Sequence, residues 1–175
     1  MNQFKNNSIL IIGGTGFIGT NLIKRFLKFG AKVTCLSLKK KQNKIIHQNL
    51  KYVRCDYTKL SVLKKKINKP FKYVVNLGGY IDHSKFFGQG RQVIDNHFLS
   101  TMNLLLSLKK DKLKRYLHIG TCDEYGENNS PVKESYREDP ITSYAFAKLA
   151  SINLLIMLNK TESFPATVLR LFLVY

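Results

Sequence analysis

The sequence predicts an α/β protein built on a doubly wound parallel sheet of strand order 3-2-1-4-5-6, and three observations carry that expectation. Short apolar runs alternate with helical patterns along the whole chain. The first run ends in a glycine turn that opens directly onto a helix. At 175 residues and 44% apolar content the chain can bury one substantial core, so one domain over 1–175 is expected.

Ser8 to Ile12 (SILII) is a continuous apolar run, suited to a strand buried on both faces. Gly13 to Gly16 turns the chain, and Phe17 to Phe29 places Phe17, Ile18, Leu22, Ile23, Phe26 and Leu27 on one helical stripe, with Gly30 as its stop. Lys32 to Leu38 reads as a second strand and Tyr52 to Arg54 as a short third. Ser61 to Asn68 is a short helix, and Tyr73 to Leu77 (YVVNL) is a fourth strand after Pro70. A helix from Arg91 to Lys109 leads to a fifth strand, Tyr116 to Gly120. The polar segment Gly126 to Pro140 is long for a connection, which marks it as a candidate active-site loop. Ser143 to Asn159 is a helix with Thr142 or Ser143 as its cap, and Thr167 to Leu171 is the sixth strand.

Composition narrows the function classes. Cys35, Cys55 and Cys122 are odd in number and lack a Cys-x-x-Cys pair, which argues against a disulfide framework or a structural zinc and for reduced thiols in a cytoplasm. No metal site is expected. The apolar run near the N-terminus meets a glycine turn instead of a cleavage site, and no stretch approaches the ~20 apolar residues of a membrane span. The formal charge of +18 would attract polyanions. Its lysines, however, fall in separate blocks at element ends (Lys39 to Lys44, Lys64 to Lys66, Lys109 to Lys114), without a recognition helix, RNA-binding aromatic signature or zinc finger. Solvated faces are therefore expected, with neither nucleic acid nor membrane as partner.

Gly13-Gly14-Thr15-Gly16-Phe17-Ile18-Gly19 lies between the first strand and the first helix, the context a dinucleotide fingerprint needs. Glycine there permits a tight turn and lets a pyrophosphate approach backbone N–H groups at a helix N-terminus. Further along, Tyr144 and Lys148 stand at i and i+4 of a predicted helix, one above the other. A free phenol has a pKa of about 10, so roughly one in a thousand is ionised at pH 7. An adjacent ammonium would favour the tyrosinate.

GGTGFIG resembles the cofactor turn of the extended short-chain dehydrogenase/reductase family, of the nucleotide-sugar epimerase/dehydratase type. The resemblance runs from Ser8 to Tyr175 with the motifs in the family's order, and it implies a Rossmann-type sheet that binds NAD or NADP. It assigns cofactor contacts to Gly13, Gly16, Phe17, Ile18, Gly19, Asp56, Leu77, Gly78, Gly79, Tyr144 and Lys148. On its residues alone, Asp56 in YVRCDYT is equally a cap for the next turn. The end of the second strand carries no acidic residue to bind a ribose 2′-hydroxyl, and Lys39 and Lys40 there suit either a 2′-phosphate or a solvated loop.

The resemblance also implies a catalytic triad of Thr121, Tyr144 and Lys148, Thr121 being four residues before Tyr125-Gly126. Tyr144 would take the proton of a sugar hydroxyl, Lys148 would orient the cofactor ribose, and Thr121 would fix the reacting oxygen. The sequence departs from the family in places. Its 4,6-dehydratases carry Asp-Glu directly after the threonine, whereas here Cys122 intervenes and Asp123-Glu124 is displaced by one. On an extended segment that slip turns a side chain to the opposite face, which weakens dehydration and leaves Asp123 one proton-transfer role. His97 occupies an asparagine's slot, with Ser100-Thr101 in place of Gly-Thr, and is expected to be structural. Leu173 stands where an asparagine usually reaches substrate. Asp82 and His83 lie near the cleft, where His83 is a candidate substrate contact and a polar loop explains it equally well.

The expected activity is NAD(P)-dependent epimerisation of a nucleotide-diphosphate sugar through transient oxidation at C4. A 4,6-dehydratase or 4-keto-sugar reductase is the alternative within catalysis, and a non-catalytic dinucleotide-binding module the alternative outside it. Family members continue past the sixth strand into a smaller substrate region. The chain is accordingly expected to be the cofactor-binding half of a longer enzyme, which could be a homodimer.

Overall fold

The computed structural model describes residues 3–38 and 45–175. Its strands are β1 Ser8–Ile12, β2 Lys32–Ser37, β3 Leu50–Arg54, β4 Tyr73–Asn76, β5 Arg115–Thr121 and β6 Ala166–Leu171. They form one sheet in the order β3-β2-β1-β4-β5-β6, the order expected, with every neighbouring pair parallel. Strand order reverses between β1 and β4, and the crevice beyond their carboxyl ends is where such sheets take ligands.

The two-residue period of a strand sorts the core into two faces. Ile9 and Ile11 of β1 pack with Val33, Cys35 and Val75 beneath Ile23 and Leu27 of helix α1, Phe17–Lys28. Leu10 and Ile12 pack with Leu36, Val74 and Tyr116 on the other face. Leu63 of α2 (Leu60–Lys66), Leu104 of α4 (Ser100–Ser107) and Leu155 of α5 (Ser143–Glu162) cover that side. The first face is less covered at its far edge, where Leu169 of β6 is exposed and is followed by the exposed Phe172 and Leu173.

The expected helix from Arg91 to Lys109 is interrupted. A short α-helical stretch, α3 (Arg91–Ile94), passes into a π turn at Asp95–Leu99 before α4 begins. The wider turn frees carbonyls, and nearby hydroxyls take them: Ser100 Oγ donates to Asn96 O at 2.6 Å and Thr101 Oγ1 to His97 O at 2.7 Å. The helix stops at Ser107 because Leu108 is extended. Helix α5 starts where expected, with Thr142 Oγ1 accepting from Ala145 N at 3.1 Å, and runs to Glu162. Among the described residues no helix is long and apolar enough to cross a membrane.

Candidate active site

Gly13 holds the turn after β1 at φ +72, a conformation L side chains rarely adopt, and a Cβ there would lie 2.7 Å from Leu77 O. The turn closes by Gly16 N donating to Gly13 O at 3.0 Å. Helix α1 begins with Gly16 as its N-cap, so no side chain caps its first N–H groups and no acidic residue occupies its first turn. The helix start lies against the turn: a Cβ on Gly19 would meet Gly14 Cα at 2.5 Å. Phe17 is exposed and Ile18 half-buried at this mouth. An uncapped helix N-terminus beside bare backbone fits the pyrophosphate of a nicotinamide dinucleotide. Replacing Gly13 by Ala is expected to cost about 1–3 kcal/mol from the left-handed backbone alone. The melting temperature should fall and calorimetric NAD binding should be lost, because Leu77 O must move.

Leu77, Gly78 and Gly79 follow β4 directly, beside that turn, with Leu77 N donating to Ile12 O at 3.1 Å. Asn76 fixes them: its Oδ1 accepts from Gly78 N at 3.1 Å, while its Nδ2 donates to Tyr116 Oη at 3.1 Å. Asp56 Oδ1 accepts from Thr58 N at 3.1 Å and from Thr58 Oγ1 at 2.6 Å, so that carboxylate caps the turn ahead of α2. At the end of β2 the described polar group is Ser37, whose Oγ lies 2.9 Å from Thr15 Oγ1. Lys39 and Lys40 lie outside the described residues.

Thr121, Tyr144 and Lys148 are all three buried. Thr121 ends β5, and Tyr144 and Lys148 occupy the first two turns of α5. Lys148 Nζ donates to Ile119 O at 3.0 Å and sits 5.9 Å from the centre of the Tyr144 ring. The electrostatics differ from the expected picture. Burial raises the Tyr144 pKa above its ordinary value; a hydrogen bond with Thr121 opposes that, and the charges of Asp123 and Glu124 reinforce it. Burial also lowers the Lys148 pKa, to about 8. In the protein alone Tyr144 therefore stays protonated at neutral pH.

The segment after Thr121 is not extended. Cys122–Tyr125 forms a 3₁₀ turn with Thr121 as its cap: Thr121 Oγ1 accepts from Asp123 N at 3.3 Å, and Glu124 Oε1 accepts from Thr121 N at 2.8 Å. The face-flipping argument against Asp123 thus fails. Its carboxylate lies 3.2 Å from His83 Nε2, and the His83 ring is 5.9 Å from that of Tyr144. The two candidate substrate contacts meet each other beside the phenol.

His97 is buried, with its ring edge against Tyr144 at 5.1 Å, Nε2 2.9 Å from Tyr80 O, and no partner on Nδ1 among the described residues. His118 is also buried, under Asn76. Burial lowers the His97 pKa to about 4 and that of His118 to about 3. A base whose folded pKa is depressed contributes stability above its unfolded pKa near 6.5 and loses it as pH falls towards the folded value. For His97 the loss amounts to about 3 kcal/mol. Urea midpoints are expected to drop between pH 6.5 and 4, and His97→Asn should flatten that slope.

Sequence reasoning missed Asn76, Glu124 and Arg170. Asn76 sat inside an apolar strand pattern, and its buried polar position was the available signal. Glu124 and Arg170 are partners 46 residues apart, with Nε to Oε2 at 2.6 Å, and no local spacing announces them. Among the described residues, no group of three or more His, Cys, Asp or Glu is placed to hold a metal.

Known proteins are similar to this chain. The profile of the NAD dependent epimerase/dehydratase family matches residues 9–175. UDP-glucose 4-epimerase of Rhizobium meliloti is 25% identical over 159 residues, covering 82% of this chain and 44% of the relative. The dTDP-D-glucose 4,6-dehydratase of Dictyostelium discoideum is 25% identical over 184 residues, covering 93% and 42% respectively. Among solved structures, UDP-glucuronic acid 4-epimerase from Bacillus cereus, in complex with UDP-glucuronic acid and NAD, superposes with a TM-score of 0.85 at 26% identity, over 96% of this chain and 57% of that one. The chain spans about half the length of the relatives it matches. With the family profile covering all but its first residues, and with the glycine turn and sheet order in place, the chain belongs to the NAD dependent epimerase/dehydratase family.

Proposed function

We propose that this chain carries the cofactor-binding and proton-transfer residues of an NAD-dependent epimerase acting on a nucleotide-activated sugar through transient oxidation at C4. The observation that carries the reading is the convergence of Thr121, Tyr144 and Lys148 beside the crevice of the glycine turn. Bound there, a nicotinamide would supply a reversible hydride acceptor. Tyr144 takes the proton of the sugar hydroxyl and later returns it. Thr121 holds the reacting oxygen at the phenol, and Lys148, anchored on Ile119 O, orients the ribose and keeps positive charge below the tyrosinate. The first turn of α1 would hold the pyrophosphate, with Leu77 to Gly79 beside it.

A second reading, 4,6-dehydration, is favoured by one observation: Asp123 and His83 form a hydrogen-bonded pair beside Tyr144, an additional acid and base suited to eliminating water. Incubation with UDP-, GDP-, CDP- and dTDP-sugars, followed by mass and by absorbance of reduced cofactor, separates the possibilities. Unchanged mass with an altered sugar supports epimerisation, and loss of water supports dehydration. Net consumption of NADPH marks a reductase and overturns both.

A further inference from the structure

We propose that Arg170 is a positioning residue for the Thr121–Tyr144 pair, acting through Glu124 and Glu138 as a clasp between the two segments that carry those hydroxyls. The inference rests on the reading of Tyr144 as the proton-transfer group, and it adds a residue that touches none of the reacting atoms.

Arg170 is the penultimate residue of β6 and pairs in register with Gly120, one residue before Thr121. Its guanidinium makes three bonds at once. Nε donates to Glu124 Oε2 at 2.6 Å, Nη1 to Tyr125 Oη at 2.8 Å, and Nη2 to Glu138 Oε1. The guanidinium also lies over the Tyr125 ring, 4.8 Å from its centre. Glu124 is fully buried, so this pair is unlike an exposed ion pair that contributes almost nothing.

Both anchored carboxylates lead to the site. Glu124 accepts from Thr121 N, which fixes the residue whose hydroxyl lowers the Tyr144 pKa. Glu138 lies at the end of the long polar loop, next to Asp139, whose N–H donates to Glu124 O at 3.0 Å. Four residues beyond Glu138, Thr142 caps α5, and Tyr144 is the second residue of that helix. Gly120 makes room for the arrangement: a Cβ there would meet Glu124 Oε1 at 2.6 Å and Arg170 Cγ at 3.1 Å. Lysine cannot replace the planar fork, since it has one nitrogen for three separated acceptors.

The test is the titration of Tyr144 itself, read by fluorine NMR on chain labelled with 3-fluorotyrosine, with Tyr144→Phe assigning its signal among the nine tyrosines. Arg170→Lys keeps the charge and loses the fork; Glu124→Ala removes a negative charge that by itself raises the Tyr144 pKa. Loss of positioning weakens the Thr121 bond, and the Tyr144 pKa should rise by about one unit in both variants, with NAD affinity within about threefold of the parent. A purely electrostatic influence predicts a fall in Glu124→Ala. An unchanged Tyr144 pKa in folded Arg170→Lys, or a fall in Glu124→Ala, overturns the proposal. If Glu124→Ala does not fold, Arg170→Lys decides alone, and if that also fails, Glu138→Ala is held to the same criterion. The readout needs no sugar turnover, so a chain without epimerase activity would count against the proposed function and leave this result standing.

Discussion

Tyr144→Phe is expected to lower turnover of the responsive nucleotide sugar by about a thousandfold, the scale of losing a positioned proton-transfer group. NAD affinity should stay within about threefold, because only the phenol hydroxyl is removed and the main cofactor contacts proposed lie on the glycine turn. Stability should change by about 1 kcal/mol or less, since the ring keeps its packing against His97 and His83 and loses one hydrogen bond with Thr121. Steady-state kinetics, calorimetry and thermal melting report the three quantities separately. Equal loss of binding and turnover would mean that Tyr144 holds the cofactor rather than moves a proton.

Lys148→Met is expected to change activity and stability in opposite directions. Burial lowers the Lys148 pKa from 10.5 to about 8, so keeping the ammonium charged at neutral pH costs about 3 kcal/mol. Methionine fills the same space without that cost and gives up one hydrogen bond to Ile119 O, worth about 1 kcal/mol. The net gain of about 2 kcal/mol should raise the melting temperature by roughly 4–8 °C at pH 7. The advantage should shrink as pH rises from 8 towards 10.5, where the folded wild type has shed a proton that its unfolded chain still binds. Turnover should fall by about 10²–10³-fold, since a fixed charge below the developing tyrosinate is gone. A less stable Lys148→Met would show that the ammonium stabilises the fold.

These effects could be anticipated because much of the site is written in local spacing. The glycine turn, the buried first strand and the Tyr144–Lys148 step each lie within one element, and the alternation of strands and helices orders them along the sheet. What the sequence did not disclose depends on contacts between distant segments. Thr121 and Tyr144 sit 23 positions apart, and only resemblance joined them. The 3₁₀ turn of Cys122–Tyr125 exists because Glu124 folds back to Thr121 N and meets Arg170 from β6, so reading that segment as extended sent Asp123 to the wrong face. The π turn at Asp95–Leu99 likewise has no marker in the helical pattern, although it presents His97 to Tyr144. Asp56 illustrates the reverse case, where a plausible cofactor residue has its Oδ1 engaged by Thr58. The +18 charge is carried largely on exposed lysines such as Lys51, Lys64, Lys65 and Lys66, as solvated faces require.

Proton release on NAD binding tests the central claim most directly, because it asks whether the crevice takes the dinucleotide and brings its cationic ring to Tyr144. Calorimetric titrations near pH 9, repeated in buffers of different ionisation enthalpy, measure the protons released. The expected result is saturable binding with a proton release that Tyr144→Phe largely abolishes while affinity persists. Absence of binding, or the same release from Tyr144→Phe, would contradict the account.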